Sequence, residues 1–420
     1  MRAVAIVDGE HYPSVVRDAL AVLPYDFVAA VLVGGQEKLR GEEGYGVPVV
    51  DGIERAISQY SPEVVVDLSD EPVLGPVERF ALASRVLVLG VPYVGADFRF
   101  EVPERRPFDV PSIAVVGTGK RMGKTAVTGH LARLLARELR VVVVAMGRGG
   151  PPEPETVTVP PTVEALVELS RSGRHAASDY LETAALAGVP TVGCRRCGGG
   201  LAGGLAVSNV AAGAALALEL SPELVIFDGS GAALPPIATD RTLVVVGGHQ
   251  DAAVAGGYLN TYRLLLADLV LVTMAEEDMV SAWERVLSVV REGVKPGTPV
   301  VGARLRPRPA EDIRGSSVAY FCTAPPSAHP PLAAHLADAH GADVVHVSGN
   351  LADRAALGAE LPEIDAEVYL VELKAAAIDL VAEAALARGI RVVLAANDVL
   401  VAPGASDLDD MLLEMAKFGL

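Results

Sequence analysis

Residues 117–125 read Gly-Thr-Gly-Lys-Arg-Met-Gly-Lys-Thr. Glycines at this density let backbone N–H groups turn inward around an anion, and a helix start adds partial positive charge. The closing Lys-Thr pair supplies an ammonium for the β- and γ-phosphates and a hydroxyl for Mg²⁺. The flanks agree. Ile113 to Val116 is an apolar run, and Val127, Leu131, Leu134 and Leu135 come after the loop at helical spacing. A strand, a glycine-rich loop and a helix form the context that makes such a motif a P-loop. The expected nucleotide contacts are Gly117, Thr118, Gly119, Lys120, Arg121, Met122, Gly123, Lys124 and Thr125. Five residues separate Gly117 from Gly123 where four are usual, and the longer loop carries the extra cations Lys120 and Arg121.

A nucleotide-bound Mg²⁺ needs a second oxygen ligand from the end of another strand. Leu224-Val225-Ile226-Phe227-Asp228-Gly229-Ser230-Gly231 has the right form, so Asp228 joins Thr125 as an expected metal residue. Gly193-Cys194-Arg195-Arg196-Cys197-Gly198-Gly199-Gly200 admits several readings. A C-x-x-C pair can be half a zinc site or a redox couple. Zinc needs two further ligands, and Cys322 is the one other cysteine. The alternatives are a structural loop or a second anion nest, with three glycines at a helix start flanked by Arg195 and Arg196. The nest is preferred, because two cations beside glycines suit an anion. Arg148, after another strand, is an expected substrate contact, so the expected catalytic cations are Lys120, Lys124, Arg148, Arg195 and Arg196. Lys374 and His249 also come after strands and are weaker candidates.

The elements that must position these residues alternate. Short Val/Ile-rich runs occur at 2–8, 28–34, 63–68 and 86–91, then from 112–117 through 141–146, 189–193, 223–228, 242–247, 268–273, 299–303, 317–322, 343–347 and 366–371 to 390–395. Longer Ala/Leu/Arg/Glu segments lie between them. The pattern predicts an α/β protein: a small N-terminal α/β domain (1–105) and a larger doubly wound, mostly parallel-sheet P-loop domain (111–420). Residues 97–111, charged and proline-bearing, read as a linker. Residues 304–309 (RLRPRP) are expected to mark a change to a subdomain at 310–420. Residues 150–161 read as a long irregular loop. In the N-terminal domain, the acids after two runs, Asp8 and Asp67, are either helix caps and surface acids or site residues.

The 420 residues carry 35 Lys+Arg against 53 Asp+Glu, a net −18. That balance argues against nucleic-acid binding, which needs a basic face, and it makes a local cation cluster informative. Only six lysines occur, and two of them, Lys120 and Lys124, share one turn. Three cysteines cannot build a disulfide framework, which favours a reducing cytoplasm. No apolar stretch predicts a membrane span.

The GT-x-x-x-x-GKT wording resembles dethiobiotin synthetase and its P-loop relatives. Over nearly the full length the sequence resembles the cyclic 2,3-diphosphoglycerate synthetase family. The segments that carry this are VDGEHYPSVV (7–16), DLSDEP (67–72), GTGKRMGKT (117–125), VAMGRGGPPEPE (144–155), GCRRCGGGLAG (193–203), FDGSGAALPP (227–236) and VELKAAAID (371–379). The resemblance implies an ATP-dependent ligase that closes 2,3-diphosphoglycerate into its cyclic phosphoanhydride. It also implies a need for Mg²⁺ and stimulation by K⁺. A homodimer is expected by analogy with P-loop relatives.

Three other classes compete. A P-loop small-molecule kinase is the nearest, since residues 304–309 and the lobe after them weakly echo tetraacyldisaccharide 4′-kinase. A P-loop switch or metallochaperone would carry clustered His or Cys, and the eight His here are scattered. A dinucleotide oxidoreductase would carry G-x-G-x-x-G after its first strand, which is missing.

Overall fold

The computed structural model describes residues 1–35, 44–374, 376–402 and 407–417. Its first five strands are β1 (Arg2–Asp8), β2 (Asp26–Val33), β3 (Val64–Asp67), β4 (Tyr93–Val94) and β5 (Arg99–Phe100). They form one sheet in the order β2-β1-β3-β4-β5, with β1 parallel to both β2 and β3. The run 86–91, expected as a strand, instead begins inside the helix Pro76–Val88. That helix buries Leu82, Ala83, Val86 and Leu87 at helical spacing, and so short an apolar run does not distinguish a buried helix face from a strand. Asp8 and Asp67 organise their own loops. Asp8 accepts the N–H groups of Glu10, His11 and Asp70 at 2.8–3.1 Å. Asp67 accepts from Tyr93 Oη at 2.6 Å and Arg79 Nε at 2.9 Å. The segment read as a linker is fastened down. Phe98 stacks between Tyr93 and Phe100, with centroids 5.7 and 5.4 Å away, and Arg106 bridges to Ile237.

The other strands make one large sheet. They are β6 (Ser112–Gly117), β7 (Val141–Gly147), β8 (Glu155–Val157), β9 (Thr191–Gly199), β10 (Leu205–Ser208), β11 (Leu224–Asp228), β12 (Arg241–Gly247), β13 (Leu269–Thr273), β14 (Val300–Pro309), β15 (Ser317–Phe321), β16 (Asp343–Ser348), β17 (Val368–Glu372) and β18 (Arg391–Val401). The order is β10-β9-β7-β11-β6-β12-β13-β14-β18-β17-β15-β16, with β8 paired to β9. Two parallel blocks therefore meet at one antiparallel seam, β14 against β18. The RLRPRP run is part of that seam. Val300–Gly302 pairs with β13, whereas Ala303–Pro309 pairs with β18 alone among the described residues. A strand flank without a ladder partner is where Pro307 and Pro309 are tolerated. The 150–161 loop is not wholly irregular either, because β8 lies within it and pairs antiparallel with β9.

Parallel central strands buried on both faces explain the continuous Val/Ile runs. The P-loop helix Lys124–Leu135 packs on β18, with Arg133 Nη2 donating to Asn397 O at 3.2 Å. One apolar cluster joins Val86 and Leu87 of the N-terminal sheet domain to Val116, Leu259 and Tyr262 of the larger body. Among the described residues no helix is long and apolar enough to cross a membrane.

The helix Val210–Leu218 lies on β9 at very close range. A Cβ on Gly213 would stand 2.1 Å from Cys194 Sγ and 3.5 Å from Val192 Cγ1. Gly213→Ala should therefore lower stability in urea unfolding by about 1–3 kcal/mol, despite the better helix propensity of alanine. Adding Cys194→Ala should restore most of the loss. A Gly213→Ala protein as stable as the parent would contradict this packing.

Candidate active site

The P-loop leaves β6 between two neighbours that shape it. Gly117 comes so near the 228–231 turn that a Cβ there would lie 2.8 Å from Gly231 O. Arg121 and Gly123 both hold positive φ, +64° and +78°, and a Cβ on Gly123 would meet Leu305 Cδ1 at 2.6 Å. Only glycine suits position 123 on both counts. Thr118 is buried, and its Oγ1 donates to Gln250 Oε1 at 2.6 Å. That glutamine oxygen also accepts the Gly247 N–H at 3.3 Å. On the other side Thr273 Oγ1 donates to Met122 O at 2.8 Å, and the Met122 side chain is buried. Thr118 and Met122 thus anchor the loop, while Lys120 and Arg121 are exposed on it. Gln250 and Thr273 are supports that sequence reading missed. Each lies more than a hundred residues from the motif and is linked to it by no local pattern.

Lys124 opens the helix, and Thr125 comes next, half-buried. Lys124 Nζ reaches Asp228 Oδ1 at 2.9 Å and also donates to Gly229 O. Asp228 ends β11, one strand over from β6, with its backbone level with Val115. It is 1% exposed. Burial pushes its carboxyl above the ordinary range even though Lys124 pulls the other way. A buried carboxylate of this kind needs a cation beside it. Lys124 meets that need here, and a divalent ion would meet it when Lys124 turns to a phosphate. The donor set Thr125 Oγ1 and Asp228 therefore fits Mg²⁺ bound mainly through nucleotide phosphates. The described residues contain no cluster of three or more His, Cys, Asp or Glu arranged for a metal.

The CRRCGGG segment differs from the expected nest. It continues β9 as far as Gly199 and pairs antiparallel with β10, so it is a hairpin, and the next helix begins only at Val210. Its glycines line a strand and its turn because Gly198 runs close against Ala206, where a Cβ would meet the Ala206 Cβ at 2.7 Å. An extended strand also sets Cys194 and Cys197 roughly 10 Å apart along the chain, too far to share one ion or one disulfide. Cys194 is buried, Cys197 is exposed, and both are free thiols.

Strand alternation turns Arg195 and Arg196 to opposite faces. Arg196 Nη2 donates to Ser230 O at 2.8 Å and lies 3.2 Å from Ser230 Oγ, while its buried Nε has no partner. Arg148 arrives at the same turn from the end of β7. A Cβ on Gly231 would stand 2.9 Å from Arg148 Nη2 and 3.6 Å from Arg196 Nη2. Burial first, and the Arg148 charge second, draw Arg196 below the usual arginine range. Neither guanidinium has a carboxylate ion-pair partner among the described residues. Arg195 is exposed, and its backbone N–H donates to Asn209 Oδ1 at 2.7 Å. The structure thus gathers Lys124, Asp228, Arg148 and Arg196 around the 228–231 turn.

Lys374 comes after β17 but faces an acid. Its Nζ lies 2.8 and 3.0 Å from the two oxygens of Glu182, on the helix Asp179–Ala187. Burial raises Glu182 to about 7 against the pull of Lys374. This pair ties the β17 end of the sheet to the P-loop side. Asp179, at the start of the same helix, adds negative potential to Arg196, Asp228 and Lys374, and nothing in the sequence around it marks that role. His249 is drawn down by burial, and its ring lies close to Gly247.

Family models described as cyclic 2,3-diphosphoglycerate synthetase match the chain in three consecutive parts. The N-terminal domain matches residues 2–101, the P-loop domain 112–301 and the C-terminal domain 309–398. The cyclic 2,3-diphosphoglycerate synthetase of Rubrobacter xylanophilus is 49% identical, over 99% of this chain and 97% of its own. That of Methanothermus fervidus is 39% identical, over 100% of this chain and 97% of its own. Among solved structures, LpxK from Aquifex aeolicus in complex with ATP aligns with 75% of this chain and 91% of its own, at 18% identity and a TM-score of 0.43. With matches that run from one end of the sequence to the other, the chain belongs to the cyclic 2,3-diphosphoglycerate synthetase family.

Proposed function

We propose that this chain catalyses ATP + 2,3-diphosphoglycerate → ADP + phosphate + cyclic 2,3-diphosphoglycerate. The observation that carries the proposal is the Arg148–Arg196 pair, two guanidinium groups without carboxylate partners among the described residues, on the turn that touches Gly117. Both reactants are polyanions, and at an effective dielectric of about 20 two like unit charges 4 Å apart repel by roughly 4 kcal/mol. Intervening cations remove that barrier to approach. Lys120, Arg121 and Lys124 serve the nucleotide side. Arg148 and Arg196 serve the substrate phosphates, with Arg195 at the outer rim.

The reaction has two displacements. An oxygen of one substrate phosphate attacks the ATP γ-phosphorus, and ADP leaves. The substrate then carries a diphosphate at that position. The neighbouring phosphate attacks the inner phosphorus of that diphosphate, inorganic phosphate leaves, and the ring closes. Phosphate nucleophiles are already ionised, so no strong general base is required. Lys124 neutralises charge on the transferring group, and Arg196 and Arg148 hold the two substrate phosphates near each other. Mg²⁺, held by Thr125 and Asp228, would supply further neutralisation of the β- and γ-phosphates. We also propose a stimulating role for K⁺, a homodimeric state and a cytoplasmic location, the last supported by the three free thiols.

³¹P spectra of the protein with MgATP and 2,3-diphosphoglycerate should show the cyclic diphosphate growing in step with free phosphate. ADP without free phosphate would mean a kinase, and phosphate formed without substrate would mean a switch. Lys124→Ala should lower turnover by about 10²–10³-fold. Arg196→Ala should raise KM for 2,3-diphosphoglycerate about 10-fold or more, the worth of one charged hydrogen bond, and leave KM for ATP within about twofold. Arg195→Ala should have the smaller effect on KM. Equal losses for both substrates in Arg196→Ala would remove Arg196 from the substrate side.

A further inference from the structure

Arg263 lies on the helix Asn260–Leu266 and is 2% exposed. No carboxylate pairs with it among the described residues. Its donors go to oxygens of three segments. Nε donates to Ala232 O at 2.7 Å and Nη2 to Leu201 O at 3.0 Å. Nη1 donates to Leu259 O at 2.7 Å and Asn260 Oδ1 at 3.3 Å. Ala232 belongs to the loop that leaves Asp228. Leu201 sits at the tip of the β9–β10 hairpin, which carries Arg196. Burial draws the guanidinium down to about 10.

A buried charge without a counter-ion is costly, and packing alone would be served better by an apolar side chain. What an apolar side chain cannot do is hold two carbonyls from separate loops at one spacing. The planar guanidinium fork does that. A backbone bond, Leu234 N–H to Gly203 O at 2.9 Å, also joins the same two loops, and Gly203 admits the clamp because a Cβ there would lie 3.2 Å from Arg263 Nη2. The other side of the Arg263 region is braced by the N-terminal domain, with the Phe80 and Tyr258 rings 5.4 Å apart.

We propose that Arg263 is a positioning residue for substrate binding: it clamps the hairpin tip to the 229–233 turn and so holds Arg196 against Ser230. The proposal rests on Arg196 serving the substrate phosphates.

The test uses Arg263→Lys, which keeps the charge and loses the fork, in the full-length protein. Hydrogen–deuterium exchange should quicken in peptides covering 196–208 and 229–234 and stay unchanged over 113–135. KM for 2,3-diphosphoglycerate should rise about tenfold, as for the loss of a positioning contact, with KM for ATP and kcat each within about twofold. In an Arg196→Ala background the same substitution should move KM by less than about twofold, because the clamp acts through Arg196. Exchange that quickens evenly across the chain, or a KM effect of the same size with and without Arg196, would overturn the clamp. An Arg196→Ala protein with unchanged KM would overturn the role of Arg196 instead, and the exchange pattern would still judge the clamp. If Arg263→Lys does not fold, Arg263→Gln, which drops the buried charge and the fork together, should give the same exchange pattern and KM split.

Discussion

Like charges brought together with no carboxylate in ion-pair contact set the terms for the rest of this structure. Arg148 and Arg196 flank one glycine α-carbon, and neither has a carboxylate partner among the described residues. Left to itself the pair would separate or recruit an acid. It stays together because its backbone supports are fixed, with Asp179 adding negative potential at Arg196. Arg148 leaves a strand buried on both sides, and Arg196 leaves a strand paired with β10. The turn they flank is wedged between Gly117 and Ala233, with the Ala233 N–H on Ser230 O at 3.1 Å. Such a pair is stabilised by whatever brings negative charge to it.

The acidity of the whole molecule sharpens that selectivity. With a net charge of −18, the long-range field repels anions, so a polyanion gains only where local cations overcome it. Acids also sit inside the site. Asp228 pairs with Lys124, Asp179 adds negative potential at Arg196, and Glu182 takes up Lys374. The site alternates sign over short distances, as two charged reactants and a metal would require.

The parts legible from sequence are those fixed by neighbours in the chain. The strand, the glycine turn, Lys124 and its helix are each dictated locally, and Asp228 is legible because β11 is an apolar run closed by an acid. The CRRCGGG segment misleads because the same glycines suit a nest and a hairpin, and only the register with β10 decides between them. The run 86–91 misleads because so short a Val/Leu stretch fits a helix face as well as a strand. Pro307 and Pro309 suggest a break, yet they occupy a strand whose second flank has no partner among the described residues. Gln250, Thr273 and Arg263 escape notice for one reason: each acts through contacts far away in sequence, and nothing near it in the chain marks it.

The Lys124–Asp228 contact bears on the order of events at the site. In this state the lysine neutralises a carboxylate that is almost wholly out of water. A phosphate that draws Lys124 away leaves Asp228 charged and buried, which is unfavourable unless another cation arrives with the phosphate. On the proposed reading nucleotide and metal therefore enter as a unit, because neither alone leaves both partners of the present ion pair satisfied. Arg148 and Arg196 make no contact with the Lys124–Asp228 pair, so they stay available to an anion while that exchange takes place. The two halves of the site meet at the 228–231 turn, which carries Asp228 at one end and has the two guanidinium groups at the other.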